Sequence, residues 1–377
     1  MFFMTADKQL KIDVISKICD GRIDIRQASA ILQKSERTIF NYLKDFKEKG
    51  VVFVVHGNMG KKPHNKTSEK LKEKTMDLVL SKYKDFNMLH CLEKLEQEHK
   101  LKLNREVFRV WCHEKNHVKN AHKRKPKARY LRQRMASEGL LLQMDGSPHR
   151  WFGNKESCLI VILDDANSEI VYGEFFPAED TISCMRVLQK AIEKKGLFEI
   201  LYVDRAGIFG GPKRCKFSHV KDALQSLNVN TIFANSAEAK GRIERLFRTL
   251  QDRLIPEMKL RNIKSYEAAN SYLQDQFIPN VFNKKFTVTP RSLQSSYKPL
   301  PLNLNLKEVF CLKDYRVVNK DHTISFNSKR FTFTSPVGYS IRKQKIEIRT
   351  YQDLTWKAFY AGKEINLEQV SYFKKVA

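Results

Sequence analysis

The sequence of 377 residues lacks the features that mark several classes of protein. No segment approaches about 18 consecutive apolar residues, so a membrane-spanning helix is not expected. The start has no basic leader followed by a long apolar region and a small-residue cleavage site, which argues against a secretion signal. The seven cysteines form no CxxC pair, a pattern typical of reduced thiols. We therefore expect a cytoplasmic protein without disulfide bonds.

Acidic residues are scarce, and their distribution along the chain is uneven. There are 42 Asp/Glu against 69 Lys/Arg, which gives a net charge of +27. Residues 1–135 carry 32 Lys/Arg against 16 Asp/Glu, and residues 291–377 carry 16 against 7, whereas residues 136–290 carry 21 against 19. A nearly neutral block between two basic flanks suits a protein whose outer domains bind a polyanion. A basic surface that only confers solubility is the alternative interpretation.

Residues 10–50 have the pattern of short helices. The last of them repeats apolar residues at Ile39, Leu43 and Phe46, and Ser35 is placed to cap its start. A brief break separates this helix from the one before it, which predicts a helix-turn-helix. The residues expected to face the DNA major groove are Arg37, Thr38, Asn41 and Lys44.

A second helical unit runs from about Ser68 to Asn116, after a linker rich in Gly, Pro, Asn and Lys. Asn104 can cap its last helix, on which Arg105 and Arg109 are candidate DNA contacts. The stretch that follows, residues 115–134, has nine Lys/Arg and no Asp/Glu, which predicts an extended arm along DNA phosphates. The candidate phosphate contacts in the arm are Lys123, Arg124, Lys125 and Lys127.

After Gly139 the apolar pattern changes from the period of helices to that of strands. Short apolar runs predict three strands, a helix, a strand, a helix, a strand and a long helix, which is the order of a ribonuclease H-like α/β domain. Alternating polar and apolar residues from Val309 onward predict a small antiparallel β-barrel. We thus expect a multidomain protein: all-α helix-turn-helix units at 1–57 and 66–118, a basic linker at 119–137, the α/β domain at 138–290 and the β-barrel at 305–365.

Three carboxylates stand out within this pattern. Asp145 in LLQMDGSPHRWF and Asp204 in LYVDRAGIF each come at the end of a predicted apolar strand. Glu244 in AKGRIERLFRTLQDRL follows 40 positions after Asp204, on a predicted helix face apart from the apolar stripe. Carboxylate oxygens are the ligands that hard Mg2+ prefers. The three residues are therefore candidates for a divalent metal site beside a phosphodiester.

Each carboxylate also has a simpler interpretation. A lone Asp at a strand end is commonly a turn or cap residue, which is the role we expect for Asp164 and Asp165. Glu238 competes with Glu244, being 34 positions after Asp204. It lies at the predicted start of the helix, however, where an acidic residue merely interacts favourably with the helix dipole. The surrounding motif favours Glu244.

The blocks DGSPHRWF, YVDRAGIF and ANSAEAKGRIERLFRTLQDRL resemble bacterial insertion-sequence transposases of the ISNCY group, within the retroviral-integrase-like superfamily. The resemblance covers about residues 10–340 and is strongest over 140–254. One departure is Ala237, where related motifs frequently place a proline, which leaves the shape of the loop before the helix open. The match covers the family triad Asp145, Asp204 and Glu244 and the framing residues Gly241, Arg242 and Arg245.

The resemblance implies a DNA transposase with an integrase-type catalytic core. Two Mg2+ (or Mn2+) ions per site, ~4 Å apart, would serve strand cleavage and strand transfer. The implied partners are the inverted repeats at the element ends, target DNA and further copies of the chain. Two alternatives remain open: a domesticated or inactive copy that only binds DNA, and a ribonuclease H-like nuclease that cleaves without joining. The helix near the glutamate adds the candidate DNA contacts Lys240, Arg242, Arg245 and Arg248.

Overall fold

The chain divides into two compact units, Met1–Glu73 and Lys74–Ala377. No helix in the part of the chain described here is both long and apolar enough to cross a membrane. The structure is a computed structural model that describes residues 4–59, 61, 66–117, 132–205, 207–210, 218–234 and 240–370.

Three helices form the first unit around a small apolar core. Ser35 caps the third helix by accepting a hydrogen bond from the backbone N–H of Thr38, as the sequence predicted. Gln33 adopts the left-handed conformation (φ 50°), which reverses the chain between the second and third helices. The core consists of Val14, Ile15, Ala28 and Ile39. The helices are α1 (Ala6–Cys19), α2 (Ile25–Leu32) and α3 (Glu36–Lys49), followed by a 3-10 turn at Gly50–Val54.

Three further helices precede the sheet. Asn87 and Asn104 cap the second and third of them with side-chain hydrogen bonds to backbone N–H groups. Their apolar faces share one cluster that includes Tyr83, Leu95 and Phe108. The helices are α4 (Glu69–Ser81), α5 (Met88–His99) and α6 (Arg105–Glu114).

A five-stranded sheet lies at the centre of the second unit. Its order is β3-β2-β1-β4-β5, in which β2 runs antiparallel to its two neighbours while β4 and β5 run parallel to β1. The order of these elements along the chain, three strands, a helix, a strand, a helix and a strand, is the one that the sequence predicted. The strands are β1 (Leu141–His149), β2 (Ser157–Asp164), β3 (Ile170–Phe176), β4 (Ile200–Val203) and β5 (Asn230–Phe233).

Helices cover both faces of this sheet. Leu142 and Met144 of β1 share a core with the helices that connect the later strands, whereas Leu159 and Val161 of β2 pack against the long helix that follows the sheet. Alternate residues of a strand point to opposite faces, so Asp145 points to the face where the long helix begins. The helices are α7 (Thr181–Lys195), α8 (His219–Ser226), α9 (Gly241–Leu260), α10 (Tyr266–Tyr272), a π-helical segment at Leu273–Asn283 and α11 (Lys284–Phe286).

The helices before the sheet dock on the far half of α9. Glu257 of α9 is completely buried, and its carboxylate accepts hydrogen bonds from His90 at 2.9 Å and Lys94 at 2.7 Å, both on α5. Arg253 of α9 pairs with Glu93 of α5 at 2.7 Å. The helix that carries Glu244 in its first turn is therefore tied at its other end to α5.

The predicted C-terminal β-barrel is wrong, because the strands form two separate sheets over one apolar core. One sheet has the order β11-β10-β9-β6 and the other β12-β8-β7. β9 pairs with β6 and not with its chain neighbour β8, since the segment with Pro336 and Gly338 carries the chain from one sheet to the other. The elements are α12 (Leu306–Val309), β6 (Leu312–Val317), β7 (Thr323–Phe326), β8 (Lys329–Thr332), β9 (Lys345–Thr350), β10 (Trp356–Tyr360), β11 (Lys363–Ile365) and β12 (Glu368–Gln369).

Candidate active site

The parallel pairing of β1 with β4 brings Asp145, on β1, near Asp204, which follows β4. The register between β1 and β4 pairs Gln143 with Tyr202, so continuing it by two residues brings Asp145 beside Asp204. Asp204 directly follows β4, as predicted, but β1 continues to His149, so Asp145 lies inside its strand and not at the end. Past Val203, β4 no longer covers this side of β1. The Asp145 carboxylate is consequently only partly buried, with 26 % of its side chain exposed.

Lys240 contributes the nearest positive charge. It immediately precedes α9, its side chain is only 7 % exposed, and its Nζ donates a hydrogen bond to Oδ1 of Asp145 at 2.7 Å. Burial raises the pKa of the Asp145 carboxyl, the Lys240 ammonium opposes that rise, and the Asp204 carboxylate adds to it. Asp145 is thus a desolvated carboxyl beside both a cation and a second carboxylate.

Glu179, which the sequence analysis missed, is a third carboxylate at this place. It lies between β3 and α7, and a Cβ atom added to Gly146 would be only 2.3 Å from its Oε2. The carboxylate therefore rests directly on the Gly146 backbone, one residue after Asp145. Burial raises the pKa of Glu179, and the charges of Asp145 and Asp204 raise it further. In the sequence Glu179 resembles a helix-cap residue, but Asp180 and Ser183 form the capping box of α7.

Glu244 lies in the first turn of α9, with its side chain exposed. One helical turn earlier, Lys240 contacts the Asp145 carboxylate. A third acidic ligand would have to approach the site at the same place. The competing Glu238 lies outside the described residues. Among the side chains that the structure describes, no three or more His, Cys, Asp or Glu residues surround a common position for a metal ion.

The donor chemistry of this site nevertheless fits Mg2+ or Mn2+. Asp145, Asp204 and Glu179 provide hard carboxylate oxygens, which are the ligands that these ions prefer. Burial raises the pKa values of Asp145 and Glu179, and the neighbouring carboxylates raise both of them further. A divalent cation would neutralise this concentration of negative charge.

Three of the predicted DNA contacts pair with carboxylates. Arg109 on α6 donates a hydrogen bond to Glu106 at 2.8 Å. Lys240 pairs with Asp145, and Arg242 donates a hydrogen bond to Asp165 at 2.6 Å with 17 % of its side chain exposed. Thr38 is half-buried, and its hydroxyl is 2.9 Å from that of Ser35. The exposed candidates are Arg37, Asn41, Lys44, Arg105, Arg109, Arg245 and Arg248. The candidates Lys123, Arg124, Lys125 and Lys127 lie outside the described residues.

Known structures that resemble part of the chain include retroviral integrases. The catalytic core domain of HTLV-2 integrase, solved with magnesium, is 15 % identical, with a TM-score of 0.32 over 41 % of this chain and 95 % of that one. A simian T-cell lymphotropic virus intasome bound to the PP2A regulatory subunit B56 gamma is 14 % identical, with a TM-score of 0.36 over 74 % of this chain and 98 % of that one.

Curated relatives match the chain more fully, although no family model matches it. The transposase y4bF of Sinorhizobium fredii is 29 % identical over 363 residues, which cover 92 % of this chain and 78 % of the relative. The transposase for insertion sequence IS1202 of Streptococcus pneumoniae is 27 % identical over 404 residues, which cover 96 % of this chain and 84 % of the relative. The resemblance that the motifs around Asp145, Asp204 and Glu244 indicated is confirmed: the chain is a homologue of insertion-sequence transposases along nearly its whole length.

Proposed function

We propose that the protein is a DNA transposase that cleaves and joins DNA strands at Asp145, Asp204 and Glu244. The observation that carries this proposal is that the pairing of β1 with β4 brings Asp145 near Asp204, while Lys240, at the start of the helix that bears Glu244, contacts Asp145. Mutual repulsion between carboxylates in a partly buried place is costly, and proteins keep such arrangements mainly where a function requires them. Homology to insertion-sequence transposases supports this proposal.

The three carboxylates would hold two Mg2+ or Mn2+ ions. Bound there, the metal would activate a water or 3′-hydroxyl and stabilise the leaving 3′-oxygen of the DNA strand. The ammonium group of Lys240 already occupies one lone pair of Oδ1 of Asp145 at 2.7 Å, so a metal ion bound to this carboxylate would lie near a cation that repels it. Glu179 would keep the site negative from the β3 side, since its carboxylate rests on Gly146.

The remaining parts of the chain would bind DNA. Residues 1–135 and 291–377 carry most of the excess positive charge, whereas the block with the carboxylates is nearly neutral. Two capped helices, α3 and α6, expose basic residues suited to major-groove and phosphate contacts. We propose the inverted repeats of the element and the target DNA as partners, in a complex of several copies of the chain that bridges two ends.

A DNA-binding regulator without catalysis is the second candidate function. It is favoured by the contact between Lys240 and Asp145, which satisfies one ligand oxygen internally in the structure. The two functions differ in what the purified chain does with Mg2+ and DNA.

The test is cleavage of a duplex that carries the DNA end flanking the gene, in Mg2+, by the full chain and two variants. Glu244→Gln removes the charge of the proposed ligand and should abolish cleavage while end binding stays unchanged. Glu267→Gln is the matched control, because Glu267 is also an exposed acid in the first turn of a helix, α10. The Glu267→Gln variant should cleave the duplex like the unmodified chain. Cleavage retained in Glu244→Gln would refute the assignment of this residue. Binding without cleavage by the unmodified chain would support the regulator instead.

A further inference from the structure

Asp165 is a completely buried carboxylate that joins four segments of the second unit. It follows β2 and has no exposed side-chain surface. Its Oδ1 accepts hydrogen bonds from Arg242 at 2.6 Å, from Gln143 at 2.6 Å and from Arg132. Its Oδ2 accepts a hydrogen bond from the backbone N–H of Met135 at 3.0 Å. The sequence predicted only a turn residue at this position.

Two of the residues that bind Asp165 each lie two positions before a proposed metal ligand. Gln143 is two residues before Asp145 on β1, so both side chains point to the same face of the sheet. Arg242 is two residues before Glu244 in the first turn of α9. These two contacts fix the backbone immediately before two of the three ligands.

The third ligand is reached through Arg132. Its guanidinium lies over the ring of Tyr202, 5.6 Å from the centroid, and Tyr202 is two residues before Asp204 on β4. Arg132 also accepts, at its carbonyl oxygen, a hydrogen bond from Arg242. Each segment that carries one of the three ligands therefore contacts Asp165 or one of the two arginines that bind it.

Electrostatics make this arrangement sensitive to the charge of Asp165. The guanidinium groups of Arg132 and Arg242 both pair with the buried Asp165 carboxylate, which neutralises their charge. The side chain of Arg242 is only 17 % exposed. Removing one member of a buried ion pair leaves the other charges uncompensated, and they then move towards solvent. Movement of Arg242 would displace the first turn of α9, and with it Glu244.

We propose that Asp165 is a positioning residue that holds Arg242 and Arg132 so that the segments bearing Asp145, Asp204 and Glu244 keep the spacing needed for divalent metal binding. The inference rests on the proposed function, because it concerns the same three ligands. It also gives Arg242 a role in the organisation of the site in place of a direct contact with DNA.

The test measures Mn2+ binding by the full chain with titration calorimetry, alongside end-DNA binding and thermal unfolding. Asp165→Asn keeps the size of the side chain and removes its charge. Partners that orient metal ligands typically change metal affinity by about 10- to 100-fold, so we expect Mn2+ affinity to fall at least tenfold. End binding should stay within about twofold, because a residue that contacts phosphate would weaken DNA binding instead.

Asp164→Asn is the matched control, one position earlier. Asp164 is also buried, but it accepts hydrogen bonds from Gly139, Ala166 and Tyr297, none of which adjoins a proposed ligand. This variant should lower thermal stability without changing Mn2+ affinity. Equal losses of Mn2+ affinity in the two variants would mean that Asp165 only stabilises the fold and would overturn the inference, as would unchanged affinity in Asp165→Asn.

If Asp165→Asn does not fold, Arg132→Gln, Arg242→Gln and their double variant provide the same test. Two arginines that act through one carboxylate should show non-additive effects on Mn2+ affinity, whereas additive effects would contradict the inference. Failure of the unmodified chain to bind Mn2+ would overturn the proposed function itself, so the two failures are distinguishable.

Discussion

The ammonium group of Lys240 donates a hydrogen bond to Oδ1 of Asp145 across 95 positions of sequence, at 2.7 Å and with 7 % of the lysine side chain exposed. This contact brings the start of α9 onto β1. It also places a cation beside the carboxylate that we propose as a metal ligand, so the lysine and the metal ion would repel each other there.

Replacement of Lys240 by Met should therefore increase Mn2+ affinity at pH 8. We expect a gain of about tenfold, which corresponds to about 1.4 kcal/mol, the size of a typical charge-assisted hydrogen bond. Because Lys240 lowers the pKa of Asp145, its loss should also make Mn2+ binding fall off at a higher pH on acidification. Calorimetric titrations at pH 6 and pH 8 measure both effects.

Lys259→Met is the control for that measurement. Lys259 also lies on α9, but it is exposed and pairs with Asp85. Its replacement should leave Mn2+ affinity unchanged. Weaker Mn2+ binding by Lys240→Met at pH 8 would show that the lysine supports the metal site and does not weaken it.

Glu179 should lower the stability of the folded protein at neutral pH. Its folded pKa is raised above the ordinary value of 4.5, so the folded state binds the proton more tightly than the unfolded state. Stability from this group is present below pH 4.5 and is lost as the pH rises through the raised folded pKa. We expect Glu179→Gln to raise the unfolding temperature at pH 7 by about 2 °C, a shift typical of a change below 1 kcal/mol.

Thermal unfolding of both proteins at pH 7 and pH 4 provides the check. The advantage of Glu179→Gln should vanish at pH 4, because the glutamate is then protonated in both states. An equal advantage at the two pH values, or a loss of stability at pH 7, would contradict the proposed electrostatic cause.

Gly146 leaves space for the Glu179 carboxylate. A Cβ atom at position 146 would lie 2.3 Å from Oε2 of Glu179 and 3.1 Å from Sγ of Cys158. We expect Gly146→Ala to lower the free energy of unfolding by about 1–3 kcal/mol, as overpacking usually does. In a Glu179→Ala background the cost should fall below about half of that value, because the main clash is gone. Denaturant unfolding of the four proteins of this cycle measures the difference, and equal costs in both backgrounds would exclude the close contact.

Glu257 should stabilise the junction between α5 and α9. Burial opposes its ionisation, but hydrogen bonds from His90 and Lys94 prevail and lower its pKa to about 2. Since the folded pKa is lowered, the stabilisation is present above pH 4.5 and is lost as the pH falls towards 2. Glu257→Gln should cost about 3 kcal/mol at pH 7, because Lys94 loses its contact with Glu257 at 2.7 Å and keeps only the longer one with Glu98 at 3.4 Å.

Denaturant unfolding at a series of pH values between 7 and 3 tests this expectation for Glu257. The difference between the variant and the unmodified chain should shrink on acidification. A difference that is independent of pH would mean that the charge of Glu257 contributes nothing.

Much of the central fold was predictable because its signals are local. The apolar runs of β1 to β5 and the cap at Ser35 depend on neighbouring residues, and the structure has both where they were predicted. The closed C-terminal barrel was wrongly predicted, since alternation reveals strands but not which of them pair. β9 joins β6 across more than two dozen residues, and no local pattern encodes that choice.

The site shows the same division between local and distant information. Asp145 and Asp204 were proposed from their motifs, but Glu179 has no motif of its own, and its place beside Gly146 depends on how β3 and α7 pack. Asp165 was interpreted as a turn residue because its partners Arg132 and Arg242 lie 33 and 77 positions away. Contacts at such separations are set by the packing of the whole sheet.

Strand transfer with a pre-cut element end tests the central claim most directly. In Mg2+, the full chain should join the exposed 3′ end to a target duplex, and Asp204→Asn should bind the same end but join nothing. Joining by Asp204→Asn at the rate of the unmodified chain would contradict the assignment of the site. Hydrolysis without joining by the unmodified chain would identify a nuclease instead of a transposase.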